Sequence, residues 1–318
     1  MRVGIDARGL CNINRTRGIG RYTARLVEAL VEEAGGGFDF VLFGYGEGPE
    51  PGLLNPRVMD VVEWRKMRHL EGFSYAGLLA DHVSMASAVD GEGVDLFHAI
   101  DHNMTPFLRS PSIVTVHDLI LLVLRGPYLG PTAWAWMLAQ KYAARRARRV
   151  VAVSENTRSD VERIWGIPGE RIRVVYEGVT PGYRPAEDQA SVGAACERYG
   201  IKPPYFLYLG GFDPRKNLHN MFLGFKRFLL TAGGGYKLAL CGDARGFEGY
   251  LDDVVESSAW EITSSSPASC PRKICPPSTR GPPPFSAPLS TRASGFRFWR
   301  PCPAAHRSSP PPYHPYPR

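Results

Sequence analysis

The chain of 318 residues contains 38 Lys and Arg against 31 Asp and Glu, so its formal net charge is +7 and its pI about 9.1. A basic protein ordinarily suggests an acidic partner, but residues 1–258 are formally neutral and the remaining residues hold all of the excess charge. The charge therefore gives no argument for nucleic-acid binding. No apolar run approaches the roughly 18 to 20 residues of a membrane span, and the N-terminus lacks a secretory pattern. With single, scattered cysteines in residues 1–258, these features predict a cytoplasmic protein.

Short apolar runs alternate with helical stretches, which is typical of a parallel sheet with crossover helices. In the first part of the chain this predicts strands at 2–7, 38–44, 94–99, 112–118, 149–154 and 171–178, and helices at 20–34, 132–147 and 155–166. A polar, Pro-containing linker follows at 180–189, and a strand, a helix and a strand are then predicted at 205–211, 217–232 and 236–243. We therefore predict an α/β protein with two doubly wound domains: residues 1–185 form the first, and residues 186–258 begin the second.

The first candidate site is the loop between the opening strand and its helix, where Gly18 and Gly20 are flanked by Arg17 and Arg21. Glycines let a backbone approach a ligand closely, and a helix N-terminus favours phosphate through its free N–H groups and its dipole. The loop lacks the third glycine and the acidic residue of the dinucleotide fingerprint. A phosphate site and a tight strand-to-helix turn are equally good interpretations.

The second candidate is His117 with Asp118, which end the strand predicted at 112–118; His98 ends the strand at 94–99. Ligands of open parallel sheets bind outside the carboxyl ends of the strands, so these polar residues are site candidates. The alternative is that Asp118 caps a helix and His117 has no role of its own.

The third candidate follows the strand at 205–211, where Gly211 precedes Asp-Pro and then adjacent Arg215 and Lys216 at the start of a helix. Two cations beside a helix N-terminus suit a diphosphate. The alternative is a solvated basic pair in a turn.

Five segments together resemble family 4 retaining glycosyltransferases, which have two Rossmann-type domains (the GT-B fold). They are GIGRY at 18–22, VHDL at 116–119, VAVSENTRSD at 151–160, VVYEGV at 174–179 and GGFDPRKN at 210–217. The resemblance implies transfer of a sugar, with retention of configuration, from a nucleotide diphosphate sugar of the GDP-mannose or UDP-hexose type. The implied acceptor is a glycan or a lipid-linked glycan, as in polysaccharide biosynthesis. No metal and no cofactor are implied.

The resemblance also implies roles for single residues. Arg215, Lys216 and Gly211 would hold the donor phosphates, and the loop with Gly18 and Gly20 would face them from the other domain. His117 would contact the donor sugar near the reacting carbon, which makes it the catalytic candidate. Asp118 is an additional candidate, and Glu177 lies in the matched interdomain segment.

One element of the resemblance is not found in the sequence. The family has a glutamate motif of the form EGFGxPVLEAM, about 70 residues after the Arg-Lys pair, whose two glutamates address the sugar and the ribose. Residues 259–318 contain instead 15 of the 28 prolines and lack apolar periodicity. We consider three interpretations of this tail: a disordered Pro-rich extension, a basic tail for nucleic acid or membrane, and a second domain translated out of frame.

The out-of-frame interpretation explains the most. Codons can be chosen for residues 298–308 so that a shifted reading frame encodes LEAMPCGTPV. In the same shifted frame, residues 264–279 and 288–298 can encode other sequences that resemble the family. We therefore expect the tail to be disordered and the family activity to belong to a frame-corrected protein. The alternative function is an inactive or non-catalytic fragment of a glycosyltransferase. A nucleotide-sugar epimerase or dehydrogenase lacks support, because its fingerprint is not found.

The segment at 141–149 contains five cations, which would suit peripheral contact with the inner face of a membrane or simply a solvated helix end near the C-terminal dipole. The solvated end is the preferred interpretation. Trp134, Trp136 and Met137 are predicted to lie in the core or to line a cleft.

Overall fold

The structure is a computed structural model of the whole chain. It describes every residue except 13–14, 16, 69–74, 125–129, 180–182, 184, 187, 234, 243–248, 251–252, 255–259, 266–294 and 302–318; residues 75–76, 78, 260–265 and 295–301 are described by their backbone alone. The chain divides into two compact units, and the boundary between them follows Tyr183.

Eleven strands and eight α-helices are described, together with short 3-10 turns. The strands are β1 Arg2–Asp6, β2 Asp39–Gly44, β3 Glu63–Lys66, β4 Leu96–Ala99, β5 Ser112–Val116, β6 Arg149–Ala152, β7 Ile172–Val174, β8 Tyr205–Leu209, β9 Lys237–Gly242, β10 Trp260–Ser265 and β11 Gly295–Pro301. The helices are α1 Gly18–Glu33, α2 Pro56–Met59, α3 Tyr75–Glu92, α4 Ile120–Val123, α5 Pro131–Arg146, α6 Glu155–Asp160, α7 Gln189–Arg198 and α8 Leu218–Ala232. A π-helical turn, Val161–Trp165, continues α6.

The first unit is built on a parallel sheet of seven strands in the order β3-β2-β1-β4-β5-β6-β7. Successive residues of a strand point to opposite faces, and both faces of this sheet are covered. On β2, Phe40 and Leu42 pack in the cluster that contains α1, whereas Val41 and Phe43 pack in the cluster that contains α3 and α5. The strand order reverses between β1 and β4, which is where doubly wound sheets bind ligands. The predicted α/β fold with a doubly wound first domain is confirmed.

The second unit has a four-stranded sheet in the order β10-β11-β9-β8. The pair β8–β9 is parallel, as predicted, and α8 packs on it through Phe222 and Phe225. Strand β11 runs antiparallel to β9, and β10 antiparallel to β11.

The two strands β10 and β11 differ from the sequence-based expectation of a disordered tail. In both strands, aromatic and β-branched residues outnumber prolines. Pro301 ends β11, whereas the other 14 prolines of residues 259–318 fall in segments outside the described residues. The free edge of β9 offers backbone groups that need partners, and β11 supplies them.

No helix in the described part of the chain is both long and apolar enough to cross a bilayer. The three cysteines described, Cys11, Cys196 and Cys241, are not in disulfide bonds.

Candidate functional site

His117 follows β5, next to the point where the strand order of the first sheet reverses, and three elements hold its ring. Its Nε2 lies 3.1 Å from the carbonyl oxygen of Ile100, and its Nδ1 lies 3.1 Å from Oε1 of Glu177. Tyr22 of α1 meets the ring edge-on with 4.8 Å between centroids. The backbone carbonyl of His117 accepts a hydrogen bond from Thr157 Oγ1 at 3.0 Å. His117 is therefore fixed by the loop after β4, by α1 and α6, and by the segment after β7.

The partners of His117 determine what the ring can do. A carbonyl oxygen only accepts, so Nε2 carries the hydrogen of its bond to Ile100. Nδ1 faces the carboxylate of Glu177. The side chain of Glu177 is 52% exposed and lies in irregular chain after β7, whereas the side chain of His117 is 15% exposed. Glu177 is thus the partner that can give way to a ligand, because about half of its side chain is exposed. Strand β7 ends at Val174, earlier than predicted, and this leaves Glu177 outside the sheet.

Asp118 is exposed and accepts a hydrogen bond from the backbone N–H of Ile120 at 3.0 Å, at the start of the one-turn helix α4. The N-cap of α4 is Leu119, so Asp118 bonds the first helical residue from one position before the cap rather than capping the helix as the alternative proposed. The additional site role for Asp118 stays a prediction.

A second polar pair, which the sequence analysis missed, follows β4. Asp101 Oδ1 lies 2.7 Å from Nδ1 of His102. Burial alone would raise the pKa of Asp101, but the charge and hydrogen bonds of His102 outweigh burial, and the pKa of Asp101 is lowered. Burial alone would lower the pKa of His102, but Asp101 outweighs burial, and the pKa of His102 is raised. The ring of His102 also packs 5.3 Å from that of Trp136 and 6.3 Å from that of Trp165. The pair could have been found by the rule that singled out His117, since it too follows a strand.

Beneath these side chains lies a buried ion-pair network at the end of β1. The guanidinium of Arg8 bonds Asp6 at 2.7 and 3.0 Å, Asp81 at 3.1 Å and the carbonyl of Asn103 at 2.5 Å. Tyr45 donates to Asp81. Burial would lower the pKa of Arg8, but the charge of Asp6 outweighs it and raises the pKa. Arg8 therefore ties β1, α3 and the loop after β4 together.

His98 is a structural residue in this fold. Its Nε2 lies 2.9 Å from Thr115 Oγ1 on the neighbouring strand β5, and burial lowers its pKa to about 4, so it is neutral at pH 7. Tyr22 also bonds Thr115, and burial raises its pKa. Tyr22 thus links His117, whose ring it contacts, to His98 through the hydroxyl of Thr115.

The loop before α1 keeps both interpretations that the sequence allowed. Gly18 opens the helix, and Arg17 precedes it without a side-chain cap. A Cβ at Gly18 would meet nothing within 4 Å in the described chain, and Gly20 is buried. The phosphate role of Gly18 and Gly20 stays a prediction.

In the second unit, β8 leads through Gly210 and Gly211 to a single 3-10 turn, Pro214–Lys216, and then into α8. The carboxylate of Asp213 accepts from the backbone N–H of Arg215 and from its Nε, both at 3.0 Å. Lys216 is exposed and forms no ion pair with any described residue. Both cations of the predicted diphosphate site therefore stand at the N-terminal end of α8, one restrained and one free to turn. No three His, Cys, Asp or Glu side chains of the described ranges are grouped as metal ligands.

The doubly wound sheet and the polar cluster at its strand ends define a Rossmann-type α/β enzyme. Residues 16–183 match the family described as Glycosyltransferase Family 4, and the chain belongs to that family. The predicted glycosyltransferase family is thereby confirmed.

Two relatives and one solved structure are similar to this chain in sequence or in fold. The serotype-specific mannosyltransferase WbdA of Escherichia coli is 22% identical over 245 residues, which cover 69% of this chain and 29% of the relative. The O-antigen chain mannosyltransferase B of Escherichia coli is 26% identical over 117 residues, covering 36% and 28% respectively. The chain thus spans less than a third of these relatives. HepE of Anabaena, crystallised with UDP-glucose, has a TM-score of 0.54 at 14% identity, over 80% of this chain and 65% of that one. This similarity establishes the fold.

Proposed function

We propose that this protein, in the version whose reading frame is restored after about residue 257, transfers a hexosyl group to a glycan or lipid-linked acceptor with retention of configuration. Mannose from GDP-mannose is the first candidate for the transferred sugar, and a UDP-hexose is the second candidate donor. The observation that carries the proposal is the adjacent Arg215 and Lys216 at the N-terminal end of α8. Fixed cations and helix N–H groups stabilise the charge that develops on a leaving diphosphate. Relatives named as mannosyltransferases favour mannose, and the UDP-glucose complex of HepE supports a nucleotide-sugar donor.

Lys216 is the stronger donor contact of the two cations. Its ammonium group is exposed, whereas Arg215 shares its guanidinium with Asp213 at 3.0 and 3.4 Å. A phosphate that binds Arg215 must therefore compete with that carboxylate or share the guanidinium with it. A phosphate that binds Lys216 displaces only water.

His117 is the residue proposed to contact the sugar. In the reaction the bond from the anomeric carbon to the donor phosphate breaks and its electron pair leaves with the diphosphate. The acceptor hydroxyl oxygen forms the new bond, and its proton passes to a phosphate oxygen of the departing diphosphate. Held at both ring nitrogens and packed edge-on by Tyr22, His117 contributes a fixed orientation, and its Nδ1 becomes available to the sugar when Glu177 moves away.

The test, made on the frame-restored version, is donor binding by calorimetry with GDP-mannose and UDP-glucose, followed by product analysis of the anomeric configuration by NMR. We expect Lys216→Ala to weaken donor binding about tenfold to a hundredfold, the value of one charge-assisted contact. Lys226→Ala, a cation farther along α8, is the matched control and should leave binding unchanged. His117→Ala should lower turnover more than donor affinity, whereas His219→Ala should lower neither. Equal effects of Lys216→Ala and Lys226→Ala would contradict the proposed donor site.

The alternative, an inactive fragment, is favoured by the missing glutamate motif. The same assays decide between the two when the 318-residue chain is compared with a version whose reading frame is restored after about residue 257. We expect the restored version to transfer sugar and the chain as written to be nearly inactive. Normal transfer by the chain as written would contradict the out-of-frame interpretation of the tail, as would a gene without an insertion or deletion near that codon.

A further inference from the structure

Large exposed apolar side chains occur in both units of the chain. In the first unit Trp134 is 47% exposed, so its predicted place in the core or a cleft is wrong, whereas Met137 is buried as predicted. In the second unit Phe206, Leu207 and Leu209 lie together on strand β8 and are 46%, 53% and 57% exposed. Single exposed apolar residues need no explanation, but a run of them on one strand marks an interaction surface.

The composition of β8 is that of a central strand. Its sequence, YFLYL, contains no charged side chain. The strands at the two edges of the first sheet do carry charges, since three of the four residues of β3 are charged and β7 contains exposed Arg173. Charged side chains on an edge strand oppose its pairing with another chain. Both edges of the first sheet are therefore protected against such pairing, and β8 is not.

Strand β8 nevertheless lies at the edge of its sheet. The order is β10-β11-β9-β8, so among the described strands only β9 pairs with β8. In the first unit β1 holds the corresponding place, because it too precedes a helix and a parallel neighbour, but β1 pairs with β4 on its other side. Strand β8 thus has the composition of a strand with two neighbours and has one in the described chain.

The ladder with β9 identifies the backbone groups at the free edge of β8. The N–H of Gly210 donates to the carbonyl of Cys241 on β9 at 2.9 Å. The N–H and C=O of one strand residue point to the same side, and successive residues alternate, so every second residue before Gly210 also faces β9. Tyr205, Leu207 and Leu209 therefore direct their N–H and C=O groups to the free edge.

The side chains of the two leucines add an apolar surface to this edge. Phe206 packs on α8, with 5.1 Å between its ring centroid and that of Phe228. Because side chains alternate along a strand, Leu207 and Leu209 point to the opposite face of the sheet. More than half of each leucine is exposed there.

We propose that the free edge of β8 pairs with β8 of a second copy of this chain, antiparallel and about a two-fold axis at Leu207. Leu207 then faces Leu207 of the partner subunit, and Tyr205 faces the partner's Leu209. All three outward-facing residues occupy hydrogen-bonded positions in this register, which gives about six bonds between the strands. The next outward-facing residue, Pro203, has no N–H, so the ladder ends there and its centre stays at Leu207.

The edge is complementary to itself, which is why the partner is a second copy. Across the axis apolar and aromatic residues face one another, and such pairs stabilise a sheet. No charge of β8 meets its own equivalent, since β8 has none. A two-fold contact also closes after two copies and does not grow into a fibre. This pairing is independent of the transferred sugar and of the reading frame of the tail.

The test is sedimentation velocity of the full 318-residue chain at increasing concentration, where we expect a concentration-dependent dimer. Leu207→Lys places like charges opposite each other and should raise the dimer dissociation constant at least about tenfold. Leu207→Glu should do the same by itself. An equimolar mixture of these two variants should dimerise again, because opposite charges then meet at the axis. Leu230→Lys, at an exposed leucine of α8, is the matched control and should leave the dissociation constant unchanged.

A chain that stays monomeric at every concentration would overturn the proposal, as would a dimer that Leu207→Lys leaves intact. A mixture of Leu207→Lys and Leu207→Glu that stays monomeric would show that the two leucines do not meet. An equal loss for Leu230→Lys would assign the association to another surface. Hydrogen exchange of the unmodified chain gives a readout that needs no variant: the amide hydrogens of Leu207 and Leu209 should exchange more slowly at high concentration, and unchanged exchange would contradict the pairing. Circular dichroism of each variant checks that its fold is retained.

Discussion

Removal of the Arg8 side chain is predicted to destabilise the first unit more than any exposed substitution. Arg8 and Asp6 have side chains that are each 6% exposed, and Arg8 also bonds Asp81 and the carbonyl of Asn103. Arg8→Ala leaves the Asp6 carboxylate buried without a cation and the carbonyl without its donor. Breaking a buried pair in this way costs about 3–5 kcal/mol. Arg8→Lys keeps the charge but loses the fork geometry, and we expect it to cost about 1.5–3 kcal/mol.

Urea unfolding followed by tryptophan fluorescence measures this loss, because four of the six tryptophans, Trp64, Trp134, Trp136 and Trp165, lie in the first unit. The matched control is Arg57→Ala, an exposed arginine, which should change the free energy of unfolding by no more than about 0.5 kcal/mol. If Arg8→Ala costs less than about 1 kcal/mol, the network does not stabilise the fold as the geometry indicates.

Three further outcomes are expected. Gly242→Ala should destabilise the second unit by about 1–3 kcal/mol, because the added Cβ would lie 1.7 Å from the carbonyl oxygen of Gly210. The control is Gly193→Ala in α7, whose added Cβ meets open space and which should be neutral or stabilising; thermal unfolding of the two variants is compared. The free energy of unfolding should fall as the pH drops from 6.5 to about 4, because the unfolded chain takes up a proton on His98 that the folded chain does not. His98→Gln should flatten a plot of the urea midpoint against pH, and an unchanged slope would contradict the buried neutral ring. Ser154→Ala should cost about 1 kcal/mol, as the loss of the α6 N-cap, and an unchanged melting temperature would argue against that cap.

Strand positions were predictable because a buried parallel strand is a short apolar run bounded by turn residues. The segments at 2–7 and 38–44 were identified within a residue or two of β1 and β2. Strand β3 was not, because its four residues, Glu63–Lys66, lie at a sheet edge and three of them are charged. Helix α3 was not named either, since small and polar residues interrupt its apolar pattern.

The candidate site was predictable only in part, because its contacts join distant residues. His117 was singled out by the end of its strand, but its contact with Glu177 links residues 60 apart. Nothing in the local sequence shows that Tyr22 packs on that ring or that Arg8 reaches the loop after β4. Such contacts follow from the strand order, which periodicity alone does not determine.

The π-helical turn Val161–Trp165 makes this segment sensitive to insertions and deletions. A π turn holds one residue more than the α-helical turn it replaces. Deleting one residue would restore regular α-helical bonding, but it would rotate the residues after it by about 100° around the helix axis. Trp165 is fully buried and its ring lies 6.3 Å from that of His102, so the rotation would take it out of the core and away from the strand ends. At this position, a locally more regular helix would mean a less well packed site.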